Sequence, residues 1–103
     1  MTGVQTCALP IFAYNSIVAG GPNSCILHYR AGDKQLLSGE LCLIDAGCEL
    51  DGYASDITRT FPVNGKYTAP QRALYEITLA AQEAAIAATK PGNTFIQIGR
   101  AHV

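Results

Sequence analysis

The stretch LCLIDAGCELDGYASDITRTFP, Leu41 to Pro62, decides the fold. Leu41-Cys42-Leu43-Ile44 is continuously apolar, as suits a strand buried on both faces. Tyr53 to Phe61 is rich in Thr, Ile and aromatic residues and is stopped by Pro62, so it reads as a second strand. Leu50-Asp51-Gly52 lies between them, and Asp51-Gly52 is turn chemistry. The two strands therefore form an antiparallel hairpin, in which facing residues have a constant index sum. A bend centred between Leu50 and Asp51 places Asp45 opposite Asp56. A bend displaced by one residue leaves the two as near neighbours.

Two carboxylates facing each other across a ladder repel. Following an apolar run, they lie near buried surface, where an unpaired charge costs on the order of several kcal/mol. Arg59 lies three residues past Asp56, an odd offset that puts it on the opposite face of a strand. Lys34 and Lys66 belong to loops. A divalent cation, which takes hard oxygen ligands, is the economical compensation. Taken alone, the pair also suits two solvated residues near a turn.

Working outward, Ser16–Ala19 is a short β-like run closed by Gly20-Gly21-Pro22-Asn23. A second apolar run, Cys25-Ile26-Leu27, ends in His28-Tyr29, and Arg30 to Gly39 is polar. Downstream, Asn64-Gly65 is a turn signal. Thr68-Ala69-Pro70-Gln71 then has the form of a capping box, with Pro70 in the first turn, where it lacks no needed N–H. Leu74, Ile77, Ala81, Ala84 and Ala88 recur at steps of three and four, giving an amphipathic helix whose apolar side packs on a core. Lys90 is expected in its last turn, and Pro91-Gly92 ends it. Glu76 and Glu83 fall on this helix and read as solvated.

The two ends read differently from the middle. MTGVQTCALPI, at the N-terminus, is the translation of a widely used short-read library adapter begun at GTG. Ile98 to Val103, IGRAHV, is the translation of the same adapter in reverse complement. Residues 1–12 and 97–103 are therefore expected to be adapter-derived, leaving residues 13–96 as the genuine segment, cut at both ends. His102 and Cys7 fall in the excluded ends.

Composition agrees with core material. Of 103 residues, 49% are hydrophobic and 15% charged, and the net charge of -1 forms no basic stripe for nucleic acid or an anionic membrane. No apolar run approaches the roughly 18 to 20 residues of a membrane helix. The four cysteines, Cys7, Cys25, Cys42 and Cys48, have no CxxC spacing. They read as reduced thiols of a cytoplasmic protein.

The run IDAGCELDGYASDITRTFPVNGKYT, with NSCILHY upstream, closely resembles the Xaa-Pro aminopeptidases of the pita-bread metallopeptidases. The resemblance covers essentially all of residues 13–96. It implies an α+β fold, an incomplete pita-bread half built of antiparallel β-hairpins and one long amphipathic helix. It also implies that Asp45, in the DAG motif, ligates one ion of a two-metal centre and that Asp56, in the DITRT motif, bridges both. His28, in the LHY motif, would contact substrate or the tetrahedral intermediate, although on chemistry alone it also suits a hydrogen-bonded histidine at a strand end. The implied metals are two divalent ions, Mn2+ with Co2+ or Zn2+ as alternatives. The implied substrates are peptides with proline at the second position, cleaved by a metal-bridging hydroxide. The implied assembly is a homo-oligomer of the intact enzyme.

In such enzymes three further ligands, one His and two Glu, come from later strands, and this chain ends before them. The chain by itself is therefore expected to be inactive, marginally stable or aggregating. A prolidase of the same architecture and a non-catalytic pita-bread binding module are the alternatives. The presence of both Asp45 and Asp56 argues against the module.

Overall fold

The computed structural model describes residues 11–30 and 32–101. Cys7 and His102 lie outside the described residues. The chain divides into two compact units, Met1–Lys66 and Tyr67–Val103.

Among the described residues, the first unit carries six strands: β1 (Ile11–Phe12), β2 (Ile17–Gly20), β3 (Leu41–Ala46), β4 (Cys48–Leu50), β5 (Tyr53–Ala54) and β6 (Ile57–Pro62). They form two antiparallel sheets with strand orders β1-β4-β5 and β2-β3-β6. The hairpin read from the sequence is present, but each arm is broken. Gly47 separates β3 from β4, and Ser55-Asp56 separates β5 from β6.

The register differs from the expected one. Asp45 pairs with Thr58, not with Asp56, and Leu50 pairs with Tyr53. The bend is centred between Asp51 and Gly52, whose φ values are 53° and 82°. Two positive φ angles in a two-residue loop are what a right-twisted hairpin demands, and Asp-Gly supplies them. The turn chemistry was correctly read; centring the bend one residue early displaced the facing pair.

Gly47 sits where no side chain fits. A Cβ there would overlap the Ser55 carbonyl oxygen and stand 2.8 Å from Tyr14 Cε1. Ser55 closes over this point, its N–H donating to the Cys48 carbonyl at 2.8 Å and its hydroxyl accepting from the Cys48 N–H at 3.1 Å. On the other side, the Ala13 N–H donates to the Gly47 carbonyl at 3.1 Å. One small residue thus lets three segments meet.

Burial is thinner than the apolar run of β3 suggested. Ala19, at 1% exposure, and Cys42, at 2%, are the fully buried hydrophobic residues described, and the pairing of Ala19 with Leu43 puts them on opposite faces of the sheet. A 3-10 helix, Gly21–Cys25, leaves β2 directly. Cys25-Ile26-Leu27 is not a strand but runs from this helix into a turn.

The second unit holds α1 (Ala69–Ala88) and α2 (Phe95–Ala101). The expected capping box is formed: Thr68 Oγ1 accepts from the Gln71 N–H at 3.4 Å and Gln71 Oε1 accepts from the Thr68 N–H at 2.9 Å. Arg72 and Glu76 form an exposed i,i+4 ion pair at 2.7 Å, of the kind worth roughly 0.3–0.5 kcal/mol. Lys90 lies beyond the C-cap residue Thr89, so α1 has no basic residue in its last turn. Thr89 leaves the helical region one residue earlier than the Pro91-Gly92 signal implies, with ψ at 85°. The apolar side of α1 is not packed as expected: Leu74 and Ile77 are each 68% exposed. No described helix is long and apolar enough to cross a membrane.

Candidate metal centre

Asp45 is the fifth residue of β3, half-buried, on the sheet face shared with Ile17 and Thr58. Asp56 is exposed and lies in the gap between β5 and β6, where the chain turns from one sheet to the other. They do not face each other across the ladder. They meet through Tyr14, whose hydroxyl donates to Asp45 Oδ1 and lies 3.1 Å from Asp56 Oδ1. A phenol has one proton. Two carboxylates therefore share a single donor, and their combined negative charge is only partly offset.

The physical state of Tyr14 reflects this. Its hydroxyl is held well above the ordinary tyrosine range, first by the hydrogen bond to Asp45, then by desolvation, and further by Asp56 and the charge of both carboxylates. Deprotonation would place a third negative charge against the two already there.

His28 reaches the same place by another route. The 3-10 helix and the residues after it fold over the β2–β3 face, so that Ile17, Ala19, Leu43, Asp45 and His28 line one hollow. His28 itself has φ 55°, in the left-handed region. That costs a non-glycine residue about 1 kcal/mol or more, and such residues cluster at functional sites. An adjoining cavity of about 600 Å³ brings together Tyr14, His28, Tyr29, Arg30, Asp45 and Asp56.

Thus the three residues singled out from the sequence, His28, Asp45 and Asp56, border one cavity. Tyr14 and Arg30 were missed. Tyr14 is 31 residues from Asp45 and 42 from Asp56, so no local pattern announces it. Arg30 opens a run that the sequence presents as a polar loop, yet it brings a cation to the cavity wall. Among the described residues it makes no ion pair with either aspartate. Arg59 sits opposite Ile44, which puts it on the sheet face away from Asp45, and it donates to the Thr58 carbonyl at 2.8 Å.

The donor set suits a divalent cation. Two carboxylates, carried on different elements, are brought to one hydroxyl, which engages the Oδ1 atom of each and not the Oδ2. Hard, negatively charged oxygens in this arrangement match Mn2+ or Zn2+ in kind. Among the described residues no group of three or more His, Cys, Asp or Glu gathers at one point.

The fold is one of paired antiparallel sheets, with two aspartates and a histidine around one cavity. The chain belongs to metallopeptidase family M24, whose model matches residues 7–103. It is 61% identical over 85 residues to the Xaa-Pro aminopeptidase of Haemophilus influenzae, an alignment covering 82% of this chain and 20% of that protein. Among solved structures, it superposes on proline aminopeptidase P II from Yersinia pestis with a TM-score of 0.83 and 53% identity, covering 88% of this chain and 21% of that one. Zinc-substituted Escherichia coli aminopeptidase P in complex with product gives a TM-score of 0.81 and 49% identity, covering 85% and 20%. The chain thus spans about one fifth of the length of these relatives, and its α+β architecture matches part of their pita-bread fold.

Proposed function

We propose that residues 13–96 carry two of the metal ligands of an aminopeptidase that releases an N-terminal residue preceding proline. The observation that supports this most is the convergence of Asp45, Asp56 and His28 on one cavity in a chain of family M24. In this reading Asp45 and Asp56 hold two divalent ions, of which Mn2+ is the native choice. When bound, such ions polarise the scissile carbonyl and make water a nucleophile near neutral pH. His28 is placed at the cavity wall to hydrogen-bond the oxygen on which negative charge develops. The open cavity accepts the peptide end, with Arg30 and Tyr29 available to orient it. The whole enzyme is a cytoplasmic homo-oligomer with reduced thiols.

The 103-residue chain itself is inactive in this proposal, because two carboxylates do not complete a two-metal site. The test is direct: the purified chain, loaded with Mn2+, is incubated with a peptide bearing proline at its second position. No release of the first residue is expected above a buffer blank. Release that disappears in Asp45→Asn would overturn the proposed inactivity.

The adapter origin of residues 1–12 and 97–103 is part of the same proposal. It rests on the two adapter-like runs, MTGVQTCALPI and IGRAHV, while the family model runs over residues 7–103. Sequencing the parent DNA across both junctions decides it. Continuous coding sequence for MTGVQTCALPI and IGRAHV would refute it.

A further inference from the structure

We infer that Tyr14 is a positioning residue for the carboxylate pair: by holding one hydroxyl against Oδ1 of both Asp45 and Asp56, it orients both for a shared cation. The inference rests on the metal-site reading proposed above. Three observations carry it. Tyr14 hydrogen-bonds both carboxylates. Its ring is seated by design of the backbone, since Gly47 leaves out the Cβ that would stand 2.8 Å from Tyr14 Cε1. The preceding residue is tied to that same glycine through the bond from the Ala13 N–H to the Gly47 carbonyl. The Asp45-Ala46-Gly47 motif therefore supplies both a ligand and the space for the group that aims it.

The hydroxyl engages Oδ1 of each aspartate and leaves each Oδ2 uncommitted to it. Fixing one oxygen of a carboxylate fixes the direction of the other. Without Tyr14, each side chain turns about its own χ2, and a cation must itself order two carboxylates that repel. Removal of a partner that orients metal ligands commonly costs about 10- to 100-fold in metal affinity. Tyr14→Phe keeps the ring on Gly47 and removes only the donor.

The experiment is a Mn2+ titration of the whole 103-residue chain, followed by the loss of the free-ion EPR signal, in parallel with carbonyl-detected NMR of the aspartate side chains. The variants are Tyr14→Phe, Asp45→Asn and, as an exposed control, Tyr53→Phe. Expected results are loss of Mn2+ binding in Asp45→Asn, at least about 10-fold weaker binding in Tyr14→Phe, and binding unchanged in Tyr53→Phe. The metal-free Tyr14→Phe chain should also show moved Asp45 and Asp56 carboxyl signals, with backbone signals of β3 and β6 in place. Equal affinities for Tyr14→Phe and Tyr53→Phe, with Asp45→Asn defective, would overturn the role of Tyr14 alone. Binding that survives Asp45→Asn, or no binding by the parent chain at millimolar Mn2+, would overturn the metal-site reading and this inference with it.

Discussion

Replacement of Gly47 by alanine should undo the first unit, and the structure says by how much. The new Cβ would overlap the Ser55 carbonyl oxygen, and 2.8 Å would separate it from both Ser55 C and Tyr14 Cε1. None of these belongs to a flexible side-chain end, so relief requires moving backbone or a whole ring. Overpacking of this kind costs about 1–3 kcal/mol. Pushing Ser55 away also breaks the two shortest of its bonds to Cys48, at 2.8 and 3.1 Å, worth about 1 kcal/mol each. The total is about 3–5 kcal/mol, against folding stabilities that begin near 5 kcal/mol for well-packed domains. A unit with so little buried hydrophobic surface has no such reserve. Gly52→Ala is the matched control: its Cβ meets nothing within 4 Å, and only φ at 82° is strained, a cost of about 1–2 kcal/mol. In urea titrations read by 1H–15N spectra, Gly47→Ala should lose the dispersed signals of β3 and β6 already in buffer, whereas Gly52→Ala keeps them. A Gly47→Ala chain with a urea midpoint at or above that of Gly52→Ala would refute the steric reasoning.

Other outcomes follow from the same contacts. In the metal-free chain, absorbance at 295 nm should show a late tyrosine ionisation, and Tyr14→Phe should abolish that late step. Because the folded-state pKa of Tyr14 is raised, its protonated hydroxyl contributes stability fully below about pH 10. That contribution is lost as pH rises through the raised value, so thermal midpoints of parent and Tyr14→Phe should converge in strong alkali. Thr68→Ala removes the N-cap acceptor of α1 and should cost about 1 kcal/mol of helix stability, visible as reduced ellipticity at 222 nm. Leu74→Gln and Ile77→Gln, at positions 68% exposed, should leave the helix signal intact and raise the solubility limit of the chain. A fall in either would mean that this face is covered.

Local signals in the sequence were dependable where the physics is local. The capping box Thr68–Gln71, the Asp51-Gly52 turn and the end of β6 at Pro62 all stand where residue chemistry put them. The same rule operates at Thr94, whose hydroxyl accepts from the Gln97 N–H at 3.3 Å to start α2; the expected adapter origin of residues 97–103 hides that signal. What was not legible required knowledge of register or of distant partners. A bend centred one residue early was enough to set Asp56 opposite Asp45 in place of Thr58. The burial of α1 and β3 was overestimated because apolar periodicity shows which side seeks cover, not whether this chain supplies it. His28 and Asp45 share a cavity because a 3-10 helix folds back over β2 and β3, a path that periodicity does not encode.

The bond between Tyr14 and Asp45 spans 31 residues, and its consequence runs in both directions. If the tyrosine orders the carboxylates, the carboxylates must order the tyrosine by the same free energy. The segment from Ile11 to Tyr14 then borrows its hold on the first unit partly from the charge state of residues far along the chain. Neutralising Asp45 and Asp56 should loosen that segment before either sheet melts. Occupation of the pair by a cation should change how readily a protease cuts near Phe12. The start of the described chain thus serves as a distant reporter of the site.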